Sequence, residues 1–148
     1  MAGLLDVNVL VALLVPTHEH HVVARHWVVS SGATEGWATC PMTELGVIRV
    51  CAQLPLGSRP PGATADALLQ FRVSSRGYLF WPDAVSPAVM LEVRQAAAAR
   101  QVMDRYLLGL ARRYGGQVVT CDQALAISGG ADVINLLGKG PQHGESKP

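Results

Sequence analysis

Apolar residues along this chain fall into short runs separated by longer amphipathic stretches, and the two periods alternate. Gly3 to Asp6 reads as a short buried strand, and Asn8 to Val15 as a helix stopped by Pro16. Thr17 is placed to cap a second helix from His18 to about Ser30, although His20 stands where a capping box would want Glu or Gln. Ser31-Gly32 ends that helix, and Trp37 to Thr39 forms a second strand. Pro41 suits the first turn of a helix carrying Glu44, Leu45, Ile48, Val50 and Cys51. Leu54 to Gly62 is a Pro- and Gly-rich loop. Thr64 to Ser74 is amphipathic through Ala65, Leu68, Leu69 and Val73, and Tyr78 to Trp81 is a third strand closed by Pro82-Asp83.

The second half repeats the alternation. Pro87 to about Gln101 is expected to be helical, helped by Ala96 to Ala99. Val102, Met103, Tyr106, Leu107, Leu110 and Ala111 mark the next helix, and Gly115-Gly116 terminates it. Gln117 to Thr120 follows as a strand, Gln123 to Ile127 as a short helix and Asp132 to Asn135 as a last strand. Short apolar strands alternating with helices predict an α/β fold with a mostly parallel central sheet flanked by helices. One domain over residues 1–137 is expected. The polar, Gly/Pro-containing stretch 138–148 reads as a disordered tail.

Composition narrows this picture. With 49% hydrophobic and 16% charged residues in 148, the chain can bury a sizeable core. No apolar run approaches the ~20 residues that span a bilayer, and the opening Met-Ala-Gly lacks a basic leader, so a cytoplasmic protein is expected. Cys40, Cys51 and Cys121 are too few and too scattered for a zinc site or a disulfide framework, and read as buried free thiols.

Four of the eleven acidic residues stand beside apolar runs, where carboxylates are hard to explain structurally: Asp6, Glu44, Asp104 and Asp122. Asp6 and Asp122 fall at strand carboxyl ends, where parallel sheets bind ligands. Glu44 and Asp104 lie near helix N-termini that would open on the same edge. Gathered together, four carboxylates repel unless a cation cancels their charge, and hard divalent ions prefer oxygen ligands. Without these four, twelve basic residues face seven acidic ones, and ten of the twelve are Arg, which suits phosphate. Each acid alone could equally be a helix cap or a first-turn charge; the joint pattern favours metal binding.

The ordered set Leu4-Leu5-Asp6-Val7-Asn8-Val9-Leu10, Thr43-Glu44-Leu45, Asp104-Arg105-Tyr106-Leu107-Leu108 and Val119-Thr120-Cys121-Asp122 resembles the PIN-domain nucleases, and within them the VapC-type toxins of toxin–antitoxin pairs. The resemblance runs from Leu4 to about Leu137. It implies a PIN-like three-layer fold and an Mg²⁺-dependent endoribonuclease, with Mn²⁺ as a possible substitute. By it, Asp6, Glu44, Asp104 and Asp122 are catalytic and metal-binding, Asn8 orients the site and Thr120 supplies a hydroxyl beside the fourth acid. Met103 departs from the small hydroxylic residue that many relatives carry there. The implied products are a 5′-phosphate and a 3′-hydroxyl, and the implied partners are single-stranded or looped RNA, a small antitoxin protein and a second copy of the chain. Arg49 is a candidate RNA contact. The alternative is a PIN fold without catalysis that binds RNA or a regulator. A haloacid-dehalogenase-like phosphatase is disfavoured because Asn8 stands where its second Asp belongs.

Other features have plainer readings. His18, His20, His21 and His26 suggest a transition-metal site, but a solvent- or partner-facing helix explains them better. Trp27, Val28 and Val29 extend an apolar surface already carrying Val22 and Val23, which either folds inward or meets a partner. Asp83 is a turn residue. Arg112 and Arg113 complement a helix dipole, with phosphate binding as the other option.

Overall fold

A computed structural model describes residues 1–138. Five strands, β1 (Gly3–Leu5), β2 (Trp37–Thr39), β3 (Tyr78–Phe80), β4 (Gln117–Thr120) and β5 (Val133–Asn135), form one sheet in the order β3-β2-β1-β4-β5. Every pairing is parallel, with Leu4 opposite both Ala38 and Val118. The helices are α1 (Val7–Leu14), α2 (His21–Trp27), α3 (Ala33–Glu35), α4 (Pro41–Ala52), α5 (Pro61–Ser74), α6 (Leu91–Arg94), α7 (Val102–Arg113) and α8 (Gln123–Gly129).

The three central strands read as unbroken apolar runs because both of their faces are buried. Leu5, Trp37 and Val119 pack into one core with Val9, Leu10 and Leu13 of α1 and Trp27 of α2. Their neighbours Leu4, Ala38 and Val118 point the other way, into a second core with Met90 and with Tyr106, Leu107 and Leu110 of α7. Successive residues of a strand face opposite sides, so one dipeptide per strand serves two cores. The result is three layers, helix on sheet on helix.

Two predicted helices come out differently. Thr17 is exposed and caps nothing; α2 begins only at His21, after His18 Nδ1 accepts a hydrogen bond from the His20 backbone N–H at 3.0 Å. That helix then widens into a π-helical turn over Val28–Gly32 before α3. The stretch predicted as one helix from Pro87 to Gln101 breaks into a 3₁₀ turn (Pro87–Val89), α6 and a second 3₁₀ turn (Ala99–Gln101). Alanine propensity favours a helix there, but the alanines offer no apolar face to bury, and short helices need tertiary packing. Met90, fully buried, fixes the segment instead. Most of the predicted tail, 139–148, lies outside the described residues.

The order of the strands decides where a site can form. From β1 the chain crosses to β2 on one side, whereas β4 lies on the other side of β1. The connections therefore diverge between β1 and β4, and a crevice opens at the carboxyl ends of these two strands.

Candidate active site

Asp6 is the first residue after β1, and serves as the N-cap of α1: its Oδ1 accepts the Val7 backbone N–H at 2.7 Å. Its Oδ2 accepts the Thr120 hydroxyl at 2.8 Å and the Asn8 side-chain N–H at 3.2 Å. Only 8% exposed, the carboxyl is held above its ordinary pKa, first by burial and also by the charge of Asp122, against the lowering effect of these hydrogen bonds.

Thr120, the last residue of β4, is fully buried and ties this corner together. While its hydroxyl donates to Asp6, its oxygen accepts from Asn8 Nδ2 at 3.3 Å and from the Asp122 backbone N–H at 3.0 Å. Asn8 in turn accepts the Cys121 backbone N–H through Oδ1 at 3.1 Å. Asn8 and Thr120 thus join the loop after β1 to the loop after β4 across more than a hundred residues of sequence. Asp122 caps α8, its Oδ1 taking the N–H groups of Ala124 and Leu125 at 2.8 and 3.4 Å.

Asp104 comes from the first turn of α7 and lines a cleft with Asp122, Arg100, Gln101 and Arg105. Its carboxyl is raised to about 6, chiefly by burial and then by the charges of Asp6 and Asp122. Three of the four predicted acids therefore feel one another electrostatically at the crevice.

Glu44 sits differently. Its Oε1 accepts the Thr39 hydroxyl at 2.7 Å, Arg72 Nη1 at 3.3 Å and the Tyr78 hydroxyl at 3.4 Å. This network spans β2, β3, α4 and α5, and Glu44 is not among the charges that raise Asp6 or Asp104. Arg49 is exposed in the last turn of α4.

The donor set of Asp6, Asp104 and Asp122 is all carboxylate oxygen, which suits a hard divalent ion better than a soft one. Burial comes first in raising both Asp6 and Asp104. The added repulsion, from Asp122 on Asp6 and from Asp6 and Asp122 on Asp104, is the electrostatic cost that such an ion would remove. The arrangement is open: among the described residues, no three His, Cys, Asp or Glu side chains are drawn tightly enough to enclose an ion. That also holds for the histidines of the α2 region. His21 Nδ1 lies 2.8 Å from the Ala12 carbonyl and His20 Nε2 lies 3.3 Å from Glu19.

Several contributors had no sequence signature. Arg72 joins Glu44 from α5 and lies over the Tyr78 ring at 4.5 Å, a contact set by helix packing alone. Arg100 lies outside any apolar pattern, and its only signal was proximity to Asp104. Arg112 is committed to Asp132 at 2.8 Å and Glu92 at 3.5 Å, so its side chain is engaged within the fold. Asp83 does more than turn the chain: its Oδ2 accepts the Met42 N–H at 3.2 Å at the start of α4.

Comparison with known proteins agrees with this architecture. The family model described as PIN domain matches residues 3–128. Ribonuclease VapC39 of Mycobacterium tuberculosis is 41% identical over 142 residues, covering 93% of this chain and all of the relative. Ribonuclease VapC38 of the same organism is 43% identical over 121 residues, 81% of this chain and 84% of the relative. A chain in the crystal structure of FitAcB from Neisseria gonorrhoeae superposes with a TM-score of 0.57 at 20% identity, covering 92% of this chain and 98% of that one.

Proposed function

This chain belongs to the PIN-domain family, among the VapC ribonucleases, and from that premise we propose that it is an Mg²⁺-dependent endoribonuclease acting as the toxin of a toxin–antitoxin pair. The observation that carries this reading is the gathering of three acids at the crevice between β1 and β4, with Asp6 and Asp122 following those strands and Asp104 lining one cleft with Asp122. Like charges assembled from three distant parts of the chain cost stability and need a compensating purpose.

Asp6, Asp104 and Asp122 would hold Mg²⁺, or Mn²⁺ in its place. Such an ion supplies Lewis acidity toward the phosphate and makes a water deprotonable near neutral pH. The remaining work belongs to the chain. Thr120 and Asn8 fix the rotamer of Asp6, so that its lone pairs face one direction. Asp122, which lines the cleft, is pinned through Oδ1 by two backbone N–H groups, so Oδ2 would be the oxygen offered to the ion. Glu44 is held through Oε1 by Thr39, Arg72 and Tyr78, so on this reading its second oxygen, Oε2, would orient a water or complete the ion's ligand set. Arg100 and Arg105 line the same cleft and suit the phosphates on either side of the scissile bond. Arg49 is a more distant backbone contact.

The substrate on this reading is single-stranded or looped RNA, whose backbone can enter an open cleft. The partners are a small antitoxin protein and a second copy of the chain. Exposed Val22 and Val29, and exposed Leu69 and Val73 on α5, provide apolar surface for such contacts. Among the described residues no helix is long and apolar enough to cross a membrane.

The test is cleavage of a total RNA pool by the purified chain with Mg²⁺, with Mn²⁺ and with EDTA, beside Asp6→Asn. Discrete, ion-dependent cuts that the variant loses by at least about a hundredfold are expected. Folded protein that cuts nothing would transfer the assignment to a PIN fold that binds RNA or a regulator without catalysis.

A further inference from the structure

On the opposite side of α7 from the acidic cleft lies a second cavity, of about 290 Å³. Val102, Met103 and Tyr106 line it from α7, and Met42, Val85 and Val93 close the other walls. One charged residue lines it, Asp83, which is exposed and so stands at the mouth of this apolar surround. Asp83 Oδ2 accepts the Met42 N–H and the Tyr106 hydroxyl is hydrogen-bonded to the same carboxylate, but a carboxylate offers about four acceptor positions, so about two remain for a ligand. The buried Tyr106 hydroxyl is pushed well above its ordinary pKa, by burial and then by this same carboxylate, so it stays protonated beside it.

The two cavities are separated by a single turn of helix. Val102, Met103 and Tyr106 face one, while Arg100, Asp104 and Arg105 face the other. Arg100 and Arg105 form no ion pair among the described residues. A nucleotide straddling the start of α7 would place phosphate against the arginines and its base in the apolar cavity.

We propose that this cavity is a base-specificity pocket for guanine, in which Met42, Met103 and Tyr106 cover the ring and Asp83 accepts hydrogen bonds from its N1–H and N2–H groups. Guanine presents two adjacent donors on its Watson–Crick edge, which match the two oxygens of one carboxylate. Adenine and cytosine each present one exocyclic donor group there, and uracil a single N–H. Splayed bases stacked on side chains and read on this edge are the usual currency of single-stranded RNA recognition. The proposal rests on the ribonuclease reading, since it makes Asp83 a specificity determinant for substrate entering the neighbouring cleft.

The test separates the pocket from catalysis. The full chain carrying ¹³C-methyl methionine is titrated with 5′-GMP and with 5′-IMP, which differ only in the N2 amino group. The Met42 and Met103 methyl signals should move, with Met1 unmoved, and GMP should bind about tenfold tighter than IMP. Asp83→Asn keeps an oxygen for the Met42 N–H and should abolish that difference. RNA cut-site mapping should show guanine enriched at one fixed offset from the cleaved bond, lost in the same variant. Equal binding of the two nucleotides, or a pocket that responds only to N-acetylarginine amide as a stand-in for a peptide partner, overturns the assignment. If GMP binds as stated but the wild type cuts no RNA, the pocket stands and the ribonuclease reading falls. If RNA is cut with no guanine preference, the pocket falls alone.

Discussion

Asp104 is half-exposed, yet its pKa stands near 6 against an ordinary 3.8, because burial and two neighbouring carboxylates all oppose its charge. The sign of the consequence follows from proton counting. Between pH 4 and 6 the folded protein binds more protons at Asp104 than the unfolded chain does, so ion-free stability falls as pH rises through that window. Asp6, also raised, acts in the same direction. Solvent screening reduces the effect at a group this open, to about 1 kcal/mol. Urea unfolding in EDTA at pH 5 and pH 7.5 should show the wild type losing roughly that much relative to Asp104→Asn. A difference between the two proteins that ignores pH would remove the proposed coupling. Asp6 and Asp122 stood out in the sequence because both end apolar runs. Glu44 was equally legible as an acid, but nothing in its sequence context foretold that Thr39, Arg72 and Tyr78 would all converge on one of its oxygens.

At the scale of elements, the strands were legible nearly to the residue because each is a short, largely apolar run between turn signals. Only β1, β2 and β4 are buried on both faces, while the edge strands β3 and β5 stay partly open. The predicted helices fared well where an apolar stripe existed, as in α7, and poorly where propensity stood alone, as in the alanine run before it. Packing tightness is a separate matter that no pattern reveals. Gly3 opens the central strand, and a Cβ there would come within 2.5 Å of Val119 Cγ2 and 2.6 Å of the Trp27 ring. Both neighbours are in the buried core, so neither moves freely. Gly3→Ala should therefore cost about 1–3 kcal/mol through overpacking. A lowered urea midpoint with an unchanged slope is the expected record. An unaltered midpoint would mean that the β1–α2 contact is looser than its geometry indicates.

For the whole molecule, the crevice draws its carboxylates from residue 6, from residue 104 and from residue 122, so an ion held there would bridge the two ends of the fold. Binding to the native state alone raises stability by mass action, by about 2.7 kcal/mol at a hundred times the dissociation constant. Millimolar Mn²⁺ should thus raise the thermal midpoint of the wild type and leave that of Asp6→Asn unmoved; an equal rise in both would place the ion elsewhere. The alternation of apolar runs and amphipathic stretches was enough to determine the α/β class, the strand sequence and the acids at strand ends, because those depend on local periodicity and on the rule that apolar faces must be covered. Tertiary structure alone decided that β1 and β4 are neighbours, that Thr120 and Asn8 lock Asp6, that Arg72 reaches Glu44, and that Asp83 lines an otherwise apolar cavity beside α7. These are contacts between residues up to 114 positions apart. Their partners are chosen by strand order and helix packing, which depend on the whole chain folding at once, and a one-dimensional pattern holds no distance of that kind.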